Sequence, residues 1–219
     1  NNFNKALSIV SSIDANIIFK LGMEFFFSFG HEGIEKIKSI RPNIKIFLDL
    51  KLHDIPNTVC KAIIPLVEKI RPYMMTLHTT GGTIMMQNVV KTLRKMPVNE
   101  RPLLLGVTVL TSQSNLEGVG VKNSVEDQIK LLVNLAIKAG ISGVIASAQD
   151  VSLVRSLSKE LKIFCPGIRS GEDKQDQKRV MSYADFSKIA DDKCFAVIGR
   201  PIIEGDPVQN IKKIIQSIK

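Results

Sequence analysis

The chain has 219 residues, of which 44% are hydrophobic and 23% charged, with a formal net charge of +9. That composition excludes a disordered, collagen-like or disulfide-stapled chain, and the length allows a buried core. No apolar run reaches the ~18 residues of a membrane span, and the stretch from Asn1 to Lys5 lacks the apolar region of a signal peptide.

The basic surplus, 22 Lys and 8 Arg, is scattered along the chain, and aromatic residues make up only 5%. It reads as a Lys-rich solvated surface, compatible with a phosphorylated small molecule, with neither nucleic acid nor membrane expected as a partner. Cys60, Cys165 and Cys194 form no CxxC pair. They are expected to be reduced, buried thiols in a cytoplasmic protein, with no metal site.

In chain order, a helix-like segment over 3–13 comes first. Apolar runs of strand length then recur at 17–22, 45–52, 74–80, 103–110, 143–148, 163–168 and 195–201. Stretches of helical periodicity separate them. The clearest is 125–139, with Ile129, Leu132, Val133, Leu135 and Ala136 on or near one face. Ser124 and Asp127 make an S-x-x-D start, and Gly140 stands where a terminating glycine belongs. Near-continuous apolar strands separated by helices predict a parallel sheet covered on both faces. No linker divides the pattern, so one α/β domain over 1–219 is expected. Eight βα units make a TIM (β/α)8 barrel. The opening helix has no strand before it, so the first strand of the barrel is expected to be missing from this chain. The rival is an open doubly wound sheet. Regular repeats and the lack of a Gly-x-Gly-x-x-Gly turn favour the barrel.

Barrel active sites lie at the carboxyl ends of the strands. Asp49 and Lys51 stand two apart on one strand and so should share a face. Lys20 ends the strand before, and Asp54 follows in the loop. Alternating Lys20, Asp49, Lys51 and Asp54 predict a mutually compensated charge row, since charges near a barrel axis are costly unless paired. His53 and His78 are expected to pack around it. The last two strand ends carry Pro166-Gly167-Ile168-Arg169 and Ile198-Gly199-Arg200-Pro201. Glycine admits an anion to backbone N–H groups and arginine adds a fork, so both loops are expected to bind phosphate. The polar stretch 170–178, with Gly171 as a hinge, has the composition of a lid.

The string Phe47-Leu48-Asp49-Leu50-Lys51-Leu52-His53-Asp54-Ile55-Pro56-Asn57-Thr58 resembles the signature of the orotidine 5′-phosphate decarboxylase family. So do Phe19-Lys20-Leu21-Gly22, Val107 to Ser112, Pro166 to Arg169, Asp176-Gln177 and Val197 to Pro201, in order along the chain. The resemblance implies loss of CO2 from orotidine 5′-monophosphate to give uridine 5′-monophosphate, without metal or organic cofactor. It implies that Lys51 stabilises and protonates the C6 carbanion. Asp49 would lie beside the departing carboxylate, and Lys20 would touch the ribose. Asp54 and Thr58 would reach into a neighbouring subunit's site, making a homodimer. Thr111 would contact the pyrimidine, Arg169, Gly199 and Arg200 the phosphate, and Gln177 would bridge lid, phosphate and base. Ile55 and Pro166, from the same motifs, join the substrate contacts. Members begin on a strand ending in an Ala-Leu-Asp-like motif, which would lie upstream of Asn1.

Two alternatives remain at this point. A related barrel group shares D-x-K-x-x-D and uses Mg2+ on sugar phosphates; the run from Ile55 to Thr58 and the stretch from Arg169 to Gln177 speak against it. A non-catalytic phosphate- or nucleic-acid-binding module is opposed by the intact Lys51.

Overall fold

The alternation of apolar runs and amphipathic stretches becomes an alternation of strands and helices. The structure is a computed structural model and describes residues 2–170 and 178–218. Two compact units divide the chain, Asn1–Leu105 and Gly106–Lys219.

The first unit runs α1 (Phe3–Ser12), β1 (Phe19–Gly22), α2 (Met23–Ile40), β2 (Ile46–Leu52), α3 (Pro56–Ile70), β3 (Met74–His78) and α4 (Gly82–Arg94), and β4 (Leu103–Val107) begins in it. Its strands neighbour one another in sequence order, β1-β2-β3-β4. The pairs β1–β2 and β2–β3 are parallel, with Phe19 opposite Ile46 and Phe47 opposite Met74. Sequential parallel order is what a barrel requires; a doubly wound sheet reverses direction at a switch point. Ile46, Phe47, Leu48, Met74, Met75 and Leu77 are all buried, so both faces of these strands are covered, as unbroken apolar runs demand. Ile34, Ile37, Ile63, Val67, Met85 and Val89 supply the buried stripes of the helices. Helix α2 is interrupted at Gly30, whose φ of 59° lies outside helical space. On the amino-terminal side of that break, Phe25 and Phe29 cluster with Phe3 of α1, the Phe3 and Phe29 ring centroids being 5.0 Å apart. Arg41, just past α2, donates to the carbonyls of Val10, Ile13 and Ala15 and so holds the chain leaving α1.

The second unit contains α5 (Val125–Ala139), β5 (Gly143–Ile145), α6 (Val151–Leu157), β6 (Lys162–Pro166), β7 (Ile168–Arg169), β8 (Met181–Ser182), α7 (Tyr183–Ile189), β9 (Cys194–Val197), α8 (Arg200–Ile203) and α9 (Pro207–Ile218). Strands β5, β6 and β9 are parallel neighbours in that order, with Val144 opposite Ile163 and Cys165 opposite Ala196. The short strands β7 and β8 pair apart from them. Helix α5 has the limits its sequence predicts. The Ser124 hydroxyl accepts from the Asp127 N–H at 3.0 Å, and Gly140 adopts a φ of 75° that only glycine adopts without cost.

Three expectations change. The apolar run 163–168 does not continue as one strand, because Gly167 turns the chain with a φ of 81°. The run 195–201 ends as strand at Val197, and Arg200 and Pro201 instead open α8, where the missing N–H of proline does no harm. Cys60 is only half-buried, whereas Cys165 and Cys194 are buried with their sulfurs 3.7 Å apart; all three are free thiols.

Candidate active site

Strands β1 and β2 place Gly22 opposite Asp49, which brings the ends of both strands level. From there Lys20 Nζ lies 3.2 Å from Asp49 Oδ2, and Lys51 Nζ lies 2.9 Å from Asp49 Oδ1. One buried carboxylate therefore carries an ammonium on each oxygen. Thr76 of β3, itself buried, donates its hydroxyl to Asp49 Oδ1 at 2.9 Å. Burial alone would raise the Asp49 pKa. The two ammoniums, with hydrogen bonds from Lys51 and Thr76, outweigh it and hold the carboxyl below its ordinary value. The side chain is thus ionised throughout the neutral range.

The expected reason for the meeting of Asp49 and Lys51 was regular strand alternation. The structure replaces it. Leu48 faces Met75 but Leu52 faces Leu77, so β2 carries extra residues across that interval and bulges. Within the bulge Lys51 adopts a φ of 50°, a left-handed conformation that costs a side-chain-bearing residue about 1–2 kcal/mol. Its N–H leaves the ladder and donates to Thr76 Oγ1 at 2.8 Å. A single threonine therefore fixes both the backbone of Lys51 and the carboxylate that receives its ammonium. Sequence reasoning missed Thr76; its only signal is a lone hydroxyl inside the apolar run Met74 to Leu77.

Asp54 is not a fourth member of the row in this chain. Its carboxylate accepts from the Ile55 N–H at 2.6 Å and is exposed. Ile55 is exposed as the residue capping α3, and Thr58 is exposed in the first turn of that helix. The His53 and His78 rings stack with centroids 5.4 Å apart, and His78 Nδ1 is hydrogen-bonded to the Thr80 hydroxyl at 2.6 Å. Burial, then the charges of His53 and Lys51, lower the His78 pKa and keep its ring neutral.

In the second unit Thr111 stands in the loop beyond β4, and its carbonyl accepts from the N–H groups of Lys178 and Arg179. Pro166 closes β6, and Arg169 is buried in β7. Gly199 caps α8 and Arg200 begins it. A Cβ on Gly199 would meet nothing within 4 Å among the described residues, so the surrounding protein does not itself demand glycine there. Gln177 and most of the expected lid, 171–177, lie outside the described residues. Among the described residues, no group of three or more His, Cys, Asp or Glu side chains is gathered in a way that could hold a metal ion. No described helix is long and apolar enough to cross a membrane.

Consecutive parallel βα units and a lysine–carboxylate row at the strand ends define an α/β barrel protein with an ionic site at the carboxyl ends of its first strands. The family model described as "Orotidine 5'-phosphate decarboxylase / HUMPS family" matches residues 1–214. The chain belongs to this family. It is 39% identical to the orotidine 5'-phosphate decarboxylase of Ehrlichia chaffeensis, over all of this chain and 93% of that protein. It is equally identical to that of Vibrio parahaemolyticus, over all of this chain and 94% of the relative. Among solved structures, orotidine 5'-phosphate decarboxylase from Lactobacillus acidophilus superposes with a TM-score of 0.82 at 28% identity, covering 99% of this chain and 94% of that one. The fold is that of these TIM barrels.

Proposed function

We propose that the protein decarboxylates orotidine 5′-monophosphate to uridine 5′-monophosphate, the last step in making the pyrimidine nucleotide, without a cofactor. The observation that carries this reading is the Lys20–Asp49–Lys51 row, within a chain of this family. Breaking the C6–carboxylate bond leaves an electron pair on C6 with no adjacent electron sink. Lys51 is a fixed ammonium for that pair: it stabilises the developing charge and delivers its proton to C6 as CO2 leaves. Asp49, ionised and held by Thr76, keeps Lys51 in place and sets a negative charge beside the substrate carboxylate. That repulsion disappears as CO2 departs, so the site favours the transition state over the bound substrate. Lys20 balances Asp49 from the other side and reaches the ribose.

In this reading Thr111 contacts the pyrimidine, with Ile55 and Pro166 among the neighbouring contacts. Arg169, Gly199 and Arg200 hold the phosphate, and the open space at Gly199 suits the approach of an anion to the backbone. Gln177 bridges phosphate and base. The site is shared: Asp54 and Thr58, exposed here, serve the partner subunit of a homodimer, each chain being one barrel domain over 1–219. A reducing, cytoplasmic setting suits the three free thiols.

The deciding experiment follows orotidine 5′-monophosphate by absorbance with purified protein, with and without EDTA. Conversion to uridine 5′-monophosphate, unchanged by EDTA, is expected. No conversion would overturn the reading, and EDTA-sensitive turnover would restore the metal-dependent alternative. Arg200→Ala should weaken binding of the nucleotide through loss of a charge-assisted contact, costing about 1.5–3 kcal/mol. It should leave the reaction of the phosphate-free nucleoside nearly unchanged. Equal damage to both substrates would make Arg200 structural.

A further inference from the structure

Residues 178–182 lace together three loops of the second unit. The N–H groups of Lys178 and Arg179 both donate to the Thr111 carbonyl, at 3.0 and 3.2 Å. Gln149 donates its side-chain amide to the Val180 carbonyl at 3.2 Å. Met181 donates to Gly167 at 3.0 Å, and Arg169 then pairs with Ser182 in the β7–β8 ladder. At the centre lies the Arg179 side chain, only 8% exposed. Its Nη1 donates to Asp150 Oδ2 at 2.6 Å, and its Nη2 donates to the carbonyls of Val109 at 2.8 Å and Leu110 at 3.5 Å. Its Nε is buried without a hydrogen-bond partner among the described residues.

A buried ion pair adds little stability over apolar packing, and an unpartnered buried N–H costs some. Stability is thus a poor reason for an arginine here. Geometry is a better one. Only a planar fork reaches a carboxylate and two carbonyls from one point. The two carbonyls belong to the residues immediately before Thr111, and the backbone of Arg179 holds Thr111 itself.

We propose that Arg179 is a positioning residue for Thr111: its buried fork, anchored on Asp150, sets the 109–111 loop so that Thr111 meets the base of the bound nucleotide. The proposal rests on the decarboxylase reading for Thr111, and it adds a residue that does not touch substrate.

The test compares two ligands, uridine 5′-monophosphate and ribose 5-phosphate, by calorimetry on the full chain. Arg179→Lys keeps a cation but loses the fork. It should weaken the nucleotide about tenfold, the size of one lost buried hydrogen bond, and change ribose 5-phosphate less than twofold. Thr111→Val should weaken the nucleotide similarly in the wild-type background but add less than twofold on top of Arg179→Lys. Asp150→Asn, which keeps the guanidinium and its carbonyl contacts, should show the same ligand selectivity with a smaller loss, and it decides the matter if Arg179→Lys fails to fold. Equal losses for both ligands, or losses that multiply in the double variant, would overturn the proposal. Wild-type protein that bound ribose 5-phosphate but not the nucleotide would instead remove the decarboxylase reading, and this inference with it.

Discussion

Lys51 joins two demands that ordinarily conflict, a charged side chain given the central part in the proposed reaction and a backbone conformation suited to glycine. Lys51→Ala should reduce turnover by at least the ~10²–10⁴-fold associated with a positioned proton donor. Lys51→Gly should be as inactive, yet melt higher than Lys51→Ala, because glycine occupies φ near 50° without the left-handed cost of about 1–2 kcal/mol. Thermal melts of the two inactive proteins check this, and equal melting would show that the bulge relaxes. Asp49 carries the pH dependence of the row. Its depressed pKa means that its contribution to stability is complete above the ordinary carboxylate value of ~3.9 and is lost as pH falls through the lower folded value. Acid unfolding curves of wild type and Asp49→Asn should therefore converge at low pH and separate above it; parallel curves would contradict the assignment. The charged members of the row were legible, because Lys and Asp inside an apolar strand run have few explanations. Thr76 was not, since threonine suits any strand and nothing in the local pattern reports a bulge that slides the register of β2 against β3.

At the level of elements, legibility followed the strength of local chemistry. The ends of α5 were readable because a serine cap and a positive-φ glycine are short-range devices. Ser124→Ala should cost about 0.5–2 kcal/mol, and Gly140→Ala about 1 kcal/mol or more, since alanine at φ 75° is strained. Urea titrations measure both, and a neutral Gly140→Ala would mean that the helix ends differently. The carboxyl ends of the strands were the poorly read part. Apolar residues continue past β6 and β9, and hydrophobicity does not distinguish a strand from the turn that follows. The turn is made by Gly167 in one case and by the opening of α8 in the other. Those are the loops given phosphate-binding roles, so the least legible backbone lies where specific function is expected.

For the whole molecule, the proposed sharing of sites gives a prediction that no single-chain variant provides. Lys51→Ala and Asp54→Ala should each be nearly inactive. In a mixture with subunit exchange, about half of the dimers are mixed, and each restores one site with an intact Lys51 and a partner's intact Asp54. About a quarter of all sites should then turn over. A flat mixing curve, with exchange confirmed by mass spectrometry, would remove the shared site and leave the decarboxylase reading standing. The fold class was legible at this scale because consecutive strand–helix alternation leaves few topologies. The homodimer is expected from the family resemblance alone, because the exposed Asp54 and Thr58 have the local pattern of any solvated loop residues.

The charge row has a history as well as a geometry. All of its members, from Lys20 to Thr76, belong to the first half of the chain, and its only carboxylate, Asp49, is made between its two lysines. Translation proceeds at about 5–20 residues per second and from the amino terminus, so the row is synthesised whole several seconds before Arg200 exists. The nascent protein therefore carries the shared carboxylate together with both ammoniums from early on, and Arg169 and Arg200, given to phosphate in the proposed reading, arrive later. An anionic ribosomal surface therefore meets first a cluster whose one carboxylate already offsets part of the charge of its two ammoniums.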